Sequence, residues 1–424
     1  MTAGQRALDL SAYREAIGHL RQGLELLKTL PSTTDRAQTE LAFQIALGSA
    51  LIPQKGFTSS QVHEAYDRAA ELARELGEAP RLARILYGLG QYAMLRGGYR
   101  AAHRIGERIL RLIKGTRAPE ALLLGHGLTG FALAYRGEFT EALDHLRKSL
   151  AQYDQPPASL ATGMDIGAMC HCYVALVLWM LGDQDESMDE MGKALELADE
   201  LAHPHTLTAT LAHTAGLHLL RREPQQAKTY AEKAVALCMD YEFPHWRALS
   251  EIVRGWALSH LGQPVKGVDD VQHGLDTLAS LEVNLNPYTL ALLAESYGRA
   301  GQVAEGLSAA DQALTDAAES GLRAFESMAL RIKGDLLQAQ GASPDEAVAC
   351  YQAAIDTAEA QGGQALRLQA ALHLSRLWQH QGRRDAARRV LAAAYQVFEE
   401  GIDAPDLQAA RALLDKLGAG RGNA

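Results

Sequence analysis

Gly137-Glu-Phe-Thr-Glu-Ala-Leu-Asp-His-Leu-Arg-Lys-Ser-Leu150 and Ser11-Ala-Tyr-Arg-Glu-Ala-Ile-Gly-His-Leu-Arg-Gln-Gly-Leu24 follow one pattern. Each carries an aromatic residue, a small residue three positions later, and apolar residues four and eight positions beyond that. This spacing traces one face of an α-helix. Aligning the chain on the small residue yields ten registered positions: Ala16, Ala65, Ala102, Ala142, Ser187, Ala227, Gly267, Gly306, Ala347 and Ala387. Most successive positions lie about 40 residues apart, the signature of a repeat architecture.

Twelve or thirteen residues before eight of these stands a second small residue: Gly90, Gly130, Ala175, Ala215, Gly255, Ala294, Gly334 and Ser375. Between the two lies a Gly or Pro turn, as at Gly97-Gly98, Gly137, Gly182, Glu223-Pro224 and Gly301. Two small residues flanking a turn mark the closest approach of an antiparallel helical hairpin, where a larger side chain would force the axes apart. One hairpin cannot bury its apolar face alone, but stacked neighbours bury a continuous core. The expected fold is therefore all-α, an α-solenoid superhelix of about ten tetratricopeptide-like helical hairpins over residues 1–417. Asp403 to Leu417 reads as a C-terminal capping helix with Asp403 as its N-cap, and residues 418–424 as a disordered tail.

Composition agrees. The 424 residues are 47% hydrophobic but only 6% aromatic, and long Ala, Leu, Glu, Arg and Gln stretches favour helix. A net charge of −10 argues against broad attraction to nucleic acid or to an anionic membrane. Four cysteines cannot form a disulfide framework. With no apolar leader at Met1 and no uninterrupted apolar span, the expectation is a cytoplasmic protein. Only twelve residues precede Tyr13, so the first hairpin looks incomplete. Its uncovered face suggests a preceding polypeptide, a partner, or a homodimer contact.

The two small-residue positions resemble the tetratricopeptide repeat, although the period here is near 40 rather than about 34. Longer stretches carry a closer likeness: Gly23 to Pro31, Glu40 to Gly48, Arg254-Gly-Trp-Ala-Leu258, Tyr288 to Gly298 and Arg376-Leu-Trp378. These resemble the C-terminal repeat arm of bacterial predicted ATPase and adenylate/guanylate cyclase fusion proteins, which are related to maltose-regulator-like signalling ATPases. The likeness implies a sensor or scaffold arm without its effector, because no Gly-x-x-x-x-Gly-Lys-[Ser/Thr] phosphate loop is present.

The likeness to tetratricopeptide arrays also implies that the first helix of each hairpin lines the concave face, through positions −3, +1, +4 and +5 from its small residue. Those positions include Phe131, Tyr135, Leu176, Trp179, Ile252 and Trp256, an apolar wall. Further along they include Glu295, Asp335 and Arg376, with Arg331 beside them, a charged wall. A groove grading from apolar to charged suits a protein or peptide partner, or alternatively a small-molecule effector. Trp179 and Trp256 could equally fill the inter-repeat core, and Glu295 could pair with Arg331 as a structural bridge.

No catalytic residue, cofactor or metal ligand set is expected. Cys170-His171-Cys172 projects its neighbours to different sides of a helix. His213 and His218 diverge in the same way, and no nucleophile motif occurs.

Overall fold

The computed structural model describes residues 7, 12–56, 58–115, 118–153, 163–284, 286–401 and 403–419. The described residues form twenty α-helices and no strand. A lone helix α1 (Tyr13–Lys28) is followed by nine hairpins. They are α2/α3 (Thr34–Lys55, Ser60–Glu75), α4/α5 (Ala79–Leu95, Tyr99–Leu112), α6/α7 (Pro119–Arg136, Phe139–Leu150) and α8/α9 (Ile166–Leu181, Gln184–Glu200). Then come α10/α11 (Pro204–Leu220, Pro224–Tyr241), α12/α13 (Pro244–His260, Pro264–Ser280) and α14/α15 (Pro287–Arg299, Val303–Ser320). The last are α16/α17 (Glu326–Gln340, Pro344–Ala360) and α18/α19 (Gln364–His380, Arg384–Tyr395), closed by α20 (Pro405–Gly418).

The small-residue pairs sit where the hairpins pinch. Ser187 Oγ donates to the Ala175 carbonyl at 2.7 Å, and Ser375 Oγ to the Ala387 carbonyl at 2.9 Å. A Cβ on Gly255 would lie 2.5 Å from the Gly267 carbonyl oxygen, so only glycine permits that approach. Proline at the first turn starts α10 to α14, where its missing N–H costs no helical bond.

Two expectations need correction at the ends. Helix α20 is capped by Ala404, not Asp403, and no side chain caps it. Pro405 at the first helical position holds the residue before it in extended backbone, which fixes the start one residue later. Gly418 closes this helix rather than opening a tail, while residues 420–424 lie outside the described residues. Most of the segment before Tyr13 also lies outside them; Ala7 is helical.

The superhelix is wound tightly enough for its successive turns to touch. Tyr13 Oη meets His203 Nε2 at 3.1 Å across 190 residues, and Arg96 pairs with Glu282 at 2.5 Å across 186. Backbone bonds join the turns as well, from Asn284 N to Leu95 O at 2.8 Å and from Ala324 N to Tyr135 O at 3.2 Å. Later, Gly401 N donates to Asp185 Oδ2 at 3.3 Å. One turn thus takes four to five hairpins, and the inner face is a narrow interior rather than a broad groove. One buried apolar core runs from α1 through α16 and reaches Ala358 of α17 and Ala365 and Leu366 of α18, and a second fills α16 to α20.

Candidate ligand-binding site

Two cavities open on the inner face, on either side of α12. The first encloses about 120 Å³. Its wall includes Tyr135 of α6, Tyr173, Leu176 and Met180 of α8, His213 and Gly216 of α10, and Trp246 and Ile252 of α12. Tyr288 and Phe325 close the far side, their ring centroids 4.4 Å apart. The aromatic rings form a chain along the wall: Tyr99–Tyr135 at 4.9 Å, Tyr135–Tyr173 at 6.0 Å, Tyr173–His213 at 5.3 Å and His213–Trp246 at 5.5 Å. Such tilted and edge contacts favour the ring quadrupoles and hold the wall rigid.

Behind this wall, His205 is fixed from both sides. Its Nδ1–H donates to the Gly163 carbonyl at 2.6 Å, and its Nε2 accepts from Trp246 Nε1 at 3.0 Å. Only the neutral ring satisfies both, and burial pushes its pKa down to about 3. His203, the N-cap of α10, and His245 are each pushed down to about 4 by burial.

The second cavity measures about 440 Å³ and is polar. Arg222, His260, Glu295, Arg299, Asp335, His373, Arg376 and Asp406 line it. Glu295 is gripped by Arg222, whose guanidinium nitrogens lie 2.9 and 3.1 Å from its two oxygens, and by Trp256 Nε1 at 3.0 Å. Arg331 Nη2 stands 3.6 Å away and His260 Nε2 3.7 Å. Burial alone would raise the Glu295 pKa, but Arg222, Arg331 and His260 hold it well below the ordinary value. Asp335 is held low likewise: it receives Arg331 Nη1 at 2.9 Å, Tyr351 Oη at 2.6 Å and His373 Nδ1 at 2.6 Å, which outweigh its burial.

Of the residues named from sequence, Tyr135, Leu176 and Ile252 meet at the apolar cavity, and Glu295, Asp335 and Arg376 at the polar one. Phe131 lies behind the wall against Tyr173, ring centroids 4.4 Å apart. Trp179 points away from both cavities, toward Leu368, Phe398 and Leu407 of the next superhelical turn. Trp256 and Arg331 are fully buried between the cavities, so they hold the walls and do not face a ligand. The inner face is traced mainly by positions −6, −3, −2, +1 and +5; position +4 reaches a cavity at the small residues Ala134 and Gly298 and turns away at Trp179. Position −2, which supplies Tyr173, His213 and Val253, therefore escaped the sequence reading.

Arg222 also escaped it, although a signal exists. In the seven other hairpins from α4 onward, the residue that turns the chain is a glycine at positive φ: Gly97, Gly137, Gly182, Gly262, Gly301, Gly341 and Gly382. Arg222 occupies that position with φ +62°, a conformation that costs an L-residue about 1–2 kcal/mol. The strain is offset by what the guanidinium reaches, the Glu295 carboxylate and the face of Trp256 at 5.8 Å. Among the described residues no cluster of three or more His, Cys, Asp or Glu is arranged to hold a metal ion, and no helix is long and apolar enough to cross a membrane.

No model of a known protein family matches the chain. An uncharacterized protein of Rhizobium meliloti (strain 1021) is 23% identical over 375 residues, 86% of this chain but 36% of that protein. The chain thus spans about a third of the length of that curated relative. Solved structures share the fold at low identity. A Rap protein complexed with Competence and Sporulation Factor is 12% identical, with a TM-score of 0.60 over 89% of this chain and 99% of that one. NprR in complex with its cognate peptide NprX is 13% identical, with a TM-score of 0.53 over 90% and 99%. The Rap conjugation gene regulator of the plasmid pLS20, in complex with the Phr* peptide, is 12% identical, with a TM-score of 0.52 over 81% and 95%. The fold is a tetratricopeptide-like α-solenoid.

Proposed function

We propose that the chain is a non-catalytic sensor or scaffold arm that holds a peptide segment on its inner face. The observation that carries this reading is the pairing of an apolar and a polar cavity along one helix, α12. The apolar cavity is of the size that takes one ring or branched side chain. The polar cavity has charged groups fixed by their own hydrogen bonds, which orient a ligand without reorganising. The likeness to three peptide-complexed solenoids supports the reading. The proposed contact residues are Tyr135, Leu176, Ile252, Glu295, Asp335 and Arg376, with Tyr173, His213 and Arg222 added. The arm reading, as part of a longer signalling ATPase or cyclase, is supported by the sequence stretches that resemble that family and by the longer Rhizobium relative.

Selection of a displayed random dodecapeptide library on the purified chain tests this. The expected outcome is enrichment of sequences whose synthetic peptides bind and change the emission of Trp246, the tryptophan on the apolar wall. Enrichment no greater than on a blank surface would defeat the reading.

A further inference from the structure

The polar cavity has more hydrogen-bond donors than acceptors. Both oxygens of each central carboxylate are already engaged. The two Glu295 oxygens receive Arg222 and Trp256, and the two Asp335 oxygens receive Arg331, Tyr351 and His373. Asp406 already accepts from Gln369 Nε2 at 2.7 Å.

The cations are not used up in the same way. Arg331 is 1% exposed, yet its Nε and Nη2 make no hydrogen bond. Its guanidinium lies between Glu295 and Asp335, immediately behind the cavity wall. Arg299, in the last turn of α14, and Arg376, on α18, line the cavity and have no hydrogen-bond or ion-pair partner among the described residues. Three guanidinium groups line the cavity and a fourth, Arg331, lies behind its wall, against three lining carboxylates, in a chain whose net charge is −10. This local excess of positive charge, with Arg299 and Arg376 unpartnered at the cavity, favours an anionic partner there.

We infer that the polar cavity is an oxyanion site, and that the ligand presents a carboxylate or a phosphate to Arg299 and Arg376 while the rest of it reaches the apolar cavity. Guanidinium groups suit this task because their planar forks match the oxygens of either anion two at a time. A lysine ammonium would act only as a point charge. The inference deepens the peptide-binding reading and rests on it only for the attached chain, since a free anion suffices to reveal the site.

The test uses the full chain and simple anions. Inorganic phosphate, sulfate and acetate are titrated calorimetrically at constant ionic strength into the wild type and an Arg299→Ala/Arg376→Ala variant. Both residues are exposed, so the variant retains the fold, which its circular dichroism checks. The expected result is saturable one-site binding by the wild type, weakened at least about tenfold in the variant. Binding by acetate as well as phosphate assigns a carboxylate ligand, and binding by phosphate and sulfate alone assigns a phosphorylated one. No saturable binding, or equal binding by both proteins, overturns the inference. Anion binding together with a failed peptide selection would leave the oxyanion site standing and remove the peptide reading; the reverse pair would do the opposite.

Discussion

The two cavities share α12 and the same inner register of the repeat, yet opposite forces hold them. On the apolar side, rings and aliphatic side chains from successive hairpins pack against one another, and the wall residues contribute mainly through buried area. On the polar side, Glu295 and Asp335 are each tied to three or more groups, so geometry is fixed by bonds and charge. A packed wall tolerates change gradually. A charge network fails when one member is removed.

The largest difference is expected from Glu295→Ala. It leaves Arg222 without its counter-charge and Arg331 with Asp335 alone, and should cost about 3–5 kcal/mol in urea denaturation. Leu176→Ala, across α12 and only partly buried, should cost clearly less. Equal losses would erase the contrast between the two sides.

Acid should separate the sides in order. His203, His205 and His245 fold with pKa values of about 4, 3 and 4, below the unfolded value near 6.5. Their stabilisation is therefore complete above pH 6.5 and is lost as pH falls toward those folded values. The loss is about 2 kcal/mol for each by pH 5. Glu295 and Asp335, also depressed, hold their contribution until pH drops below the unfolded carboxylate range near 4. Stability measured from pH 7 to 5 should fall through these three and the other histidines whose pKa burial lowers, His126, His145 and His213, before either carboxylate contributes. A His205→Asn chain, which keeps an N–H toward Gly163, should fall less over that range.

A third test addresses the scaffold common to both sides. Gly255→Ala drives a methyl group toward the Gly267 carbonyl and should cost about 1–3 kcal/mol. The smallest effect is expected from Tyr351→Phe, which removes one donor from Asp335 and should cost about 1 kcal/mol.

The scaffold was more legible in the sequence than the site. Gly130, Ala142, Ala175 and Ser187 announce the pinch points because close backbone approach excludes larger residues, as it does at Gly255–Gly267, Ala294–Gly306 and Ser375–Ala387. Which helix face turns inward depends on how tightly the superhelix winds, and contacts 190 residues apart such as Tyr13 with His203 determine that. Ile252 at position −3 and Leu176 at position +1 were found because the borrowed register includes both positions, although position +1 buries Phe131 and Trp256 behind the walls. Tyr173 was missed because the borrowed register omits position −2, and Trp179 was misplaced because its side chain packs toward the next superhelical turn. Arg222 was overlooked although an arginine in place of a turn glycine is visible without coordinates.

The most direct test of the account compares the affinity of one selected peptide for three chains: wild type, Ile252→Arg on the inner wall, and Val265→Arg on the exposed surface of the same hairpin. The account predicts a loss of about tenfold or more for Ile252→Arg and no change for Val265→Arg. Equal affinity of all three chains would contradict it.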